Sequence, residues 1–223
     1  MNESLGCKLS KYVTASLANE FRRLLHFIIG ALEIVKVHSF EKQHNIKTDG
    51  ATFVEDTFSL YKDGVMYQPT PYHVLAKIIG YLKPGPEDIF VDFGSGKGRV
   101  VFFTALRELK KVIGVEMDKS LVNIANNNLA NFKSGKTAIE FINEEAVNFK
   151  IKDETIFFMF NPFGSKTLEK VLGNIKRSLL DNPRQIRLAY YAPAHRYLLD
   201  NEDWLVLEKN ITNLQCSVWR NKI

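Results

Sequence analysis

Residues 91–100 read VDFGSGKGRV, and this stretch decides the fold. The run from Asp88 to Asp92 predicts a buried strand, and helical periodicity begins at about Arg99. Three glycines lie between the two elements: Gly94, Gly96 and Gly98. Glycines permit positive φ and close approach of a ligand to the backbone, and a helix N-terminus offers unpaired N–H groups. The stretch therefore predicts a ligand site in an α/β fold.

The residues around the glycines restrict the kind of ligand. Their spacing is G-x-G-x-G, whereas the dinucleotide fingerprint is G-x-G-x-x-G, and Asp92 stands two positions before the first glycine. A carboxylate there repels a pyrophosphate but attracts an ammonium group. We expect an adenosine compound that carries positive charge and no phosphates.

A second acidic residue follows the next predicted strand, residues 112–115. Glu116 lies 18 residues after Gly98, at the carboxyl end of that strand. In open α/β sheets an acidic side chain at this place accepts hydrogen bonds from ribose hydroxyls. Alternatively, Glu116 is a solvated acidic residue in a loop. The glycine turn that precedes it favours the ribose contact.

The motifs D-F-G-S-G-K-G and G-V-E-M-D resemble those of the class I S-adenosylmethionine-dependent methyltransferases, and the resemblance covers roughly residues 70–223. It implies the cofactor S-adenosyl-L-methionine. The residues that it implies are Asp92, Gly94, Ser95, Gly96 and Gly98 for the methionine end, Glu116 for the ribose, and Glu145 with Ala146 for the adenine amino group. Glu144 is an open alternative to Glu145.

The fourth predicted strand ends in FFMFNPFG, residues 157–164. Asn161 emerges at the ligand crevice, where its amide oxygen can accept a hydrogen bond from an amine, and Phe163 can stack on the acceptor. Asn-Pro-Phe resembles the Asn-Pro-Pro-aromatic motif of amino-directed methyltransferases and the Asn-x-Phe of non-SET lysine methyltransferases. We predict catalytic roles for both residues, and cofactor contact for Asn161. Alternatively, Asn161 and Pro162 form a turn and Phe163 is a core residue.

Two further segments border the predicted crevice. MYQPTPY, residues 66–72, precedes the first core helix, where this fold often places a loop over the cofactor. We predict that Tyr67 closes the site and that Thr70 contacts the cofactor; alternatively, Thr70 caps the helix and Tyr67 packs on the surface. Of Tyr190 and Tyr191, one faces the core and the other the pocket, because strand neighbours point oppositely.

The order of elements gives the fold and the domains. From Pro71 onward strands alternate with helices, which predicts a Rossmann-like, seven-stranded, mostly parallel sheet with helices on both faces. The last two strands are expected to form an antiparallel hairpin. Residues 12–40 predict helices and residues 41–66 a polar loop. We therefore expect an N-terminal helical cap and lid, residues 1–69, before a cofactor-binding domain, residues 70–223.

Composition excludes several classes of protein. Of the 223 residues 45% are hydrophobic, which is typical of a globular chain. The net charge of +5 is spread along the sequence, with +2 on residues 1–50 and +3 on the rest, so it does not favour a nucleic-acid partner. Cys7 and Cys216 have no C-x-x-C spacing, and the histidines lack metal-ligand spacing. We expect no metal and a cytoplasmic location.

The most apolar stretch, residues 24–35, is too short to span a bilayer, since a spanning helix needs about twenty apolar residues. A packed helix is the expected structure. A surface contact with a membrane through residues 21–37 is open but not favoured.

The motifs favour the first of four functions. The first is methyl transfer to a nitrogen, with a protein lysine or a small amine as the methyl-acceptor substrate. The second is methyl transfer to an oxygen of a small molecule, sugar or lipid. The third is a dinucleotide-dependent oxidoreductase, against which Asp92 and the glycine spacing argue. The fourth is a non-catalytic binding protein, which the intact motifs disfavour.

Overall fold

The computed structural model describes residues 37, 39–50, 67–132 and 135–222. The chain divides into two compact units, Met1–Phe40 and Glu41–Ile223. The helices predicted for residues 12–40 fall almost entirely outside the described residues, and so does the membrane contact through residues 21–37 that the sequence left open. The boundary between residues 69 and 70 stays a prediction.

Seven strands form a single mixed sheet in the described part of the second unit, in the order β3-β2-β1-β4-β5-β7-β6. The strands are β1 (Ile89–Phe93), β2 (Lys111–Glu116), β3 (Ala138–Asn143), β4 (Ile156–Phe160), β5 (Arg187–Tyr191), β6 (Leu205–Ile211) and β7 (Cys216–Asn221). The first five strands are parallel, and β7 is antiparallel to both β5 and β6. The predicted fold class, including the C-terminal hairpin, is confirmed.

Besides the helical residues 39–44 and a 3-10 helix at Thr212–Leu214, five α-helices accompany the strands in the part of the chain that the structure describes. They are α1 (Tyr72–Leu82), α2 (Arg99–Ala105), α3 (Lys119–Asn131), α4 (Ser165–Asp181) and α5 (Arg196–Asp200). On one face of the sheet, apolar residues of α4 pack against Phe157 and Tyr190. On the other face, Phe102 of α2 packs on Phe141 of β3, with 5.4 Å between the ring centroids. Helices thus cover both faces, and no described helix has the length and hydropathy of a membrane span.

Chain order reverses between β1 and β4. Strands β2 and β3 extend the sheet on one side of β1, and the chain then returns to place β4 on its other side. In an open parallel sheet this reversal leaves a crevice at the carboxyl ends of the two strands, which is where ligands bind. The glycine turn after β1 and the Asn161 turn after β4 meet there.

The alternative in which Thr70 caps helix α1 is wrong: the N-cap is Pro71, and no side chain caps the helix. Helix α2 ends at Ala105, and Glu108 shortly after it takes a φ of +42°. The Arg184 guanidinium donates to the backbone oxygens of Glu154 and Ser178.

Candidate active site

The glycine turn leaves β1 with its backbone anchored on β2. The N–H groups of Gly94 and Ser95 donate to the Val115 carbonyl oxygen at 2.9 and 3.1 Å. Gly96 has a φ of +53°, and a Cβ atom there would overlap the Tyr67 ring. A Cβ atom on Gly94, which has a φ of +74°, would lie 2.5 Å from the Cβ atom of Pro162. Tyr67 and Pro162 therefore pack so closely against the turn that only glycine fits at positions 96 and 94.

Asp92 supplies a buried carboxylate beneath this turn. Its side chain is 2% exposed. Burial, and secondly the neighbouring Glu116 carboxylate, raise the pKa of Asp92 well above its usual value. Within the described ranges no hydrogen-bond donor contacts the carboxylate. A cation bound at this point would supply the missing partner.

Glu116 lies at the carboxyl end of β2, as predicted. Its Oε2 atom accepts a hydrogen bond from the Gly96 N–H at 2.9 Å, and its Oε1 atom accepts one from the Asp118 N–H at 2.9 Å. Burial raises the pKa of Glu116, and these two hydrogen bonds act in the opposite direction. The side chain thus ties the β2 end to the middle of the glycine turn.

The loop after β3 approaches the same edge. Asn143 donates through Nδ2 to the carbonyl oxygens of Glu116 and Met117 at 3.0 and 2.9 Å. Glu145 is exposed and Ala146 packs partly against the core, whereas Glu144 is half-buried. The choice between Glu144 and Glu145 as an adenine contact stays a prediction. Met117, which the sequence reasoning did not single out, is a 40% exposed apolar side chain beside Glu116.

Asn161 follows β4 directly, with a φ of +41° that is unusual for a residue other than glycine. Its Oδ1 atom accepts a hydrogen bond from the Tyr190 hydroxyl at 2.9 Å. Phe163 is 9% exposed and packs edge-on against Phe93, with 6.4 Å between the ring centroids. The catalytic role of Phe163 stays a prediction.

A strap from Glu41 to Gly50 covers the outer side of the glycine turn. The Tyr67 hydroxyl donates to the Thr48 carbonyl oxygen at 2.6 Å, and Lys97 Nζ donates to the carbonyl oxygens of Asp49 and Gly50 at 3.0 Å. Burial raises the pKa of Tyr67, so the phenol stays protonated. Thr70, three residues further along the chain, is 3% exposed. The closing of the site by Tyr67 and the cofactor contact of Thr70 stay predictions.

Arg99 holds this strap in place, and the sequence reasoning missed it. The side chain is 4% exposed, and its Nε atom donates to Thr48 Oγ1 at 2.8 Å. Its Nη2 atom lies 3.3 Å from Glu41 Oε1 and 3.2 Å from Asp49 Oδ1. The guanidinium also stacks over the Tyr72 ring at 4.7 Å.

The donor set fits a positively charged adenosine compound better than a dinucleotide. Asp92 and Glu116 both carry raised pKa values, which a bound cation would relieve and a phosphate would aggravate. The buried Ser95 hydroxyl has no hydrogen-bond partner among the described residues, and the glycine backbone leaves room for close approach. The described residues contain no group of three side chains that could hold a metal ion.

Comparisons with known proteins agree with this assignment. A family model described as histone methylation protein DOT1 matches residues 57–178, which is more than half of the chain. A candidate methylase from Haemophilus influenzae has a similar fold, with a TM-score of 0.52 and 21% identity; the match covers 67% of this chain and 89% of that one.

Two relatives of known sequence are similar over the central part of the chain. A "Histone-lysine N-methyltransferase, H3 lysine-79 specific" from Caenorhabditis elegans is 34% identical over an alignment of 108 residues; the match covers 43% of this chain and 11% of that protein. A "Protein-lysine N-methyltransferase" from Saccharolobus islandicus (strain REY15A) is 32% identical over an alignment of 104 residues; the match covers 45% of this chain and 62% of that protein. The chain therefore matches less than two thirds of the length of either relative.

Proposed function

The chain belongs to the DOT1 family of histone methylation proteins, and from this premise we propose that it transfers a methyl group from S-adenosylmethionine to the nitrogen of a protein lysine. The observation that carries the proposal is the Asp92 carboxylate, which is 2% exposed and has no hydrogen-bond donor among the described residues. The ammonium group of the cofactor's methionine end would be its partner. The names of the two relatives support lysine over the hydroxyl acceptors of the alternative function.

The residues that would hold the cofactor surround the carboxyl ends of β1, β2 and β3. Asp92 and the backbone of the glycine turn would bind the methionine end, Glu116 the ribose, and the loop after β3 the adenine. When bound, the cofactor supplies a methyl group on a positively charged sulfur for in-line displacement. Such a displacement needs orientation and exclusion of water more than acid or base catalysis.

The protein's own part in the reaction is to orient the amine. Asn161 would accept a hydrogen bond from the acceptor nitrogen, which leaves the nitrogen lone pair free to attack. The strap held by Arg99 and the ring of Tyr67 would exclude water from the methionine end.

The cytoplasmic location stays a proposal, supported by the buried, unpaired Cys216.

The cofactor assignment can be tested by calorimetry. We expect saturable binding of S-adenosylmethionine and no binding of NAD at the same concentrations. Saturable NAD binding without a response to S-adenosylmethionine would contradict the proposal.

The acceptor assignment can be tested with cofactor labelled in the methyl group. The protein is incubated with a fractionated lysate, and the labelled fraction is hydrolysed and analysed by mass spectrometry. Methyllysine in the protein fraction is the expected result. Label only on oxygen atoms of small molecules, or no transfer at all, would contradict it.

The substitution Gly96→Ala is expected to weaken cofactor binding about tenfold. A Cβ atom would overlap the Tyr67 ring, and a φ of +53° costs a residue other than glycine about 1–2 kcal/mol. Gly173→Ala is the matched control, since no atom lies within 4 Å of the added Cβ atom. Calorimetry with S-adenosylmethionine measures both variants, and equal affinities for the two would contradict the closed turn.

A further inference from the structure

Tyr190 is a buried phenol whose hydroxyl group contacts the Asn161 side chain. The side chain of Tyr190 is 1% exposed, and its ring belongs to the core cluster on the α4 face. The hydroxyl donates to Asn161 Oδ1 at 2.9 Å. The buried ring thus fixes the hydroxyl beside the Asn161 carboxamide.

The neighbouring tyrosine has a different place. Tyr191 points to the other face of the sheet, where its ring lies 4.5 Å from the Phe160 ring, centroid to centroid. Of the two residues for which the sequence left core and pocket open, the one in the core, Tyr190, contacts Asn161. Tyr190 contacts Asn161 through its hydroxyl group, which lies at the carboxyl edge of the sheet.

Asn161 needs such a partner because a carboxamide is nearly symmetric in shape. Its oxygen and nitrogen ends occupy similar volumes but act as acceptor and donor respectively. Its backbone is fixed by a φ of +41° and by the proline that follows, and neither feature determines which end of the side chain faces the crevice. The amide nitrogen has no hydrogen-bond partner in the part of the chain that the structure describes.

We propose that Tyr190 is a positioning residue that holds the Asn161 carboxamide with its oxygen available to the acceptor amine. The oxygen has two lone pairs, so it can accept from Tyr190 and from the acceptor nitrogen together. Without the phenol, the carboxamide can rotate and present its NH₂ group, a donor, to the N–H groups of the acceptor. This inference rests on the proposed transfer to an amine.

The hydroxyl orients Asn161 and does not take up a proton. Burial raises the pKa of Tyr190 above its ordinary value, so the phenol remains protonated at neutral pH. A protonated phenol has one proton to donate, and here it is donated to the Asn161 oxygen.

The substitution Tyr190→Phe keeps the ring in the core and removes only the hydroxyl. We expect kcat for methyl transfer to fall about five- to tenfold, the factor that corresponds to the loss of one neutral hydrogen bond. The dissociation constant for S-adenosylmethionine is expected to change less than about twofold, since the hydroxyl contacts Asn161 and none of the residues assigned to the methionine end, the ribose or the adenine. Tyr197→Phe, which removes a hydroxyl from a 53% exposed side chain, is the matched control and should leave kcat unchanged.

A double-mutant cycle with Asn161→Ala separates positioning from general damage. If Tyr190 acts through Asn161, adding Tyr190→Phe to Asn161→Ala causes no further loss of kcat. A further loss of the same size as in the wild-type background would overturn the proposal, because Tyr190 would then act without Asn161.

Nuclear magnetic resonance gives a readout that does not depend on activity. The side-chain NH₂ resonances of Asn161 are compared between wild type and Tyr190→Phe in the free protein. We expect two sharp resonances in wild type, and exchange broadening or a shift in the variant. Identical spectra together with an unchanged kcat would refute the positioning role while leaving methyl transfer intact. Failure of the wild-type protein to transfer methyl would instead refute the proposed function.

Discussion

Asp92→Asn is expected to weaken binding of S-adenosylmethionine about a hundredfold and at the same time to raise the thermal stability of the free protein. Asparagine cannot neutralise the ammonium group of the ligand, and a buried cation left without its partner costs about 3 kcal/mol or more. The free protein, in contrast, no longer contains a carboxylate that burial and Glu116 penalise. Calorimetric titration and thermal unfolding measure the two effects.

The stability effect of Asp92 depends on pH in a defined direction. The pKa of Asp92 is higher in the folded chain than the value of 3.8 typical of the unfolded chain. Between these two pKa values the folded state binds more protons than the unfolded state, so stability falls as pH rises through that window. The melting temperature of Asp92→Asn should therefore exceed that of wild type increasingly from about pH 4 upward.

Cofactor binding should also release protons from the wild-type protein. A bound ammonium group lowers the pKa of Asp92, so at a pH between the pKa values of the free and the bound protein the carboxyl gives up its proton on binding. Titrations in buffers of different ionisation enthalpy detect this release. Asp153→Asn is the matched control, since that carboxylate is 53% exposed beside Lys110 and lies outside the site. If Asp92→Asn bound S-adenosylmethionine as tightly as wild type, the role assigned to Asp92 would be contradicted.

Arg99→Met is expected to destabilise the fold by about 3–5 kcal/mol, the range measured when one partner of a buried ion pair is removed. The substitution leaves the Glu41 carboxylate, which is 13% exposed, without its guanidinium. For a chain of this size the loss corresponds to a decrease of about 6–20 °C in melting temperature. Thermal unfolding at neutral pH measures it.

A second substitution identifies the cause of the loss. Adding Glu41→Gln to Arg99→Met removes the unpaired buried charge and should restore part of the stability, because Thr48 can still donate to the new amide oxygen. Lys110→Met breaks an exposed pair and should leave the melting temperature near that of wild type. If Arg99→Met also behaves like this control, the strap does not depend on Arg99.

The fold was largely predictable because its signals are local. Strand β1 is a run of five buried residues that ends at glycines, and helix α1 shows its apolar face at three- and four-residue steps. The errors occurred where a side chain and not the apolar pattern decided a boundary. Asp88 was predicted to begin β1, but its carboxylate accepts hydrogen bonds from the Gly85 N–H and the Thr155 hydroxyl, which holds it in the preceding turn.

The candidate site was predictable only where neighbours in sequence are neighbours in space. The ends of predicted strands identify most of the site directly: Asp92 and the three glycines at the end of β1, Glu116 at the end of β2, and Asn161 after β4. The hydrogen bond between Tyr190 and Asn161 joins residues 29 positions apart, and the one between Arg99 and Thr48 joins residues 51 positions apart. No periodicity encodes such contacts. The surroundings of the Phe163 ring could not be predicted, because a motif gives the position of a residue but not the direction of its ring.

The position of β7 has a consequence for synthesis on the ribosome. This strand follows β6 in the chain but lies between β5 and β6 in the sheet, so β5 keeps an unpaired edge until β7 has been made. Strands β1 to β4, with the glycine turn, emerge much earlier and can assemble while translation continues. The half that would bind the cofactor can thus form on the nascent chain, whereas the edge beside Tyr190 is completed only after residue 221 has left the exit tunnel.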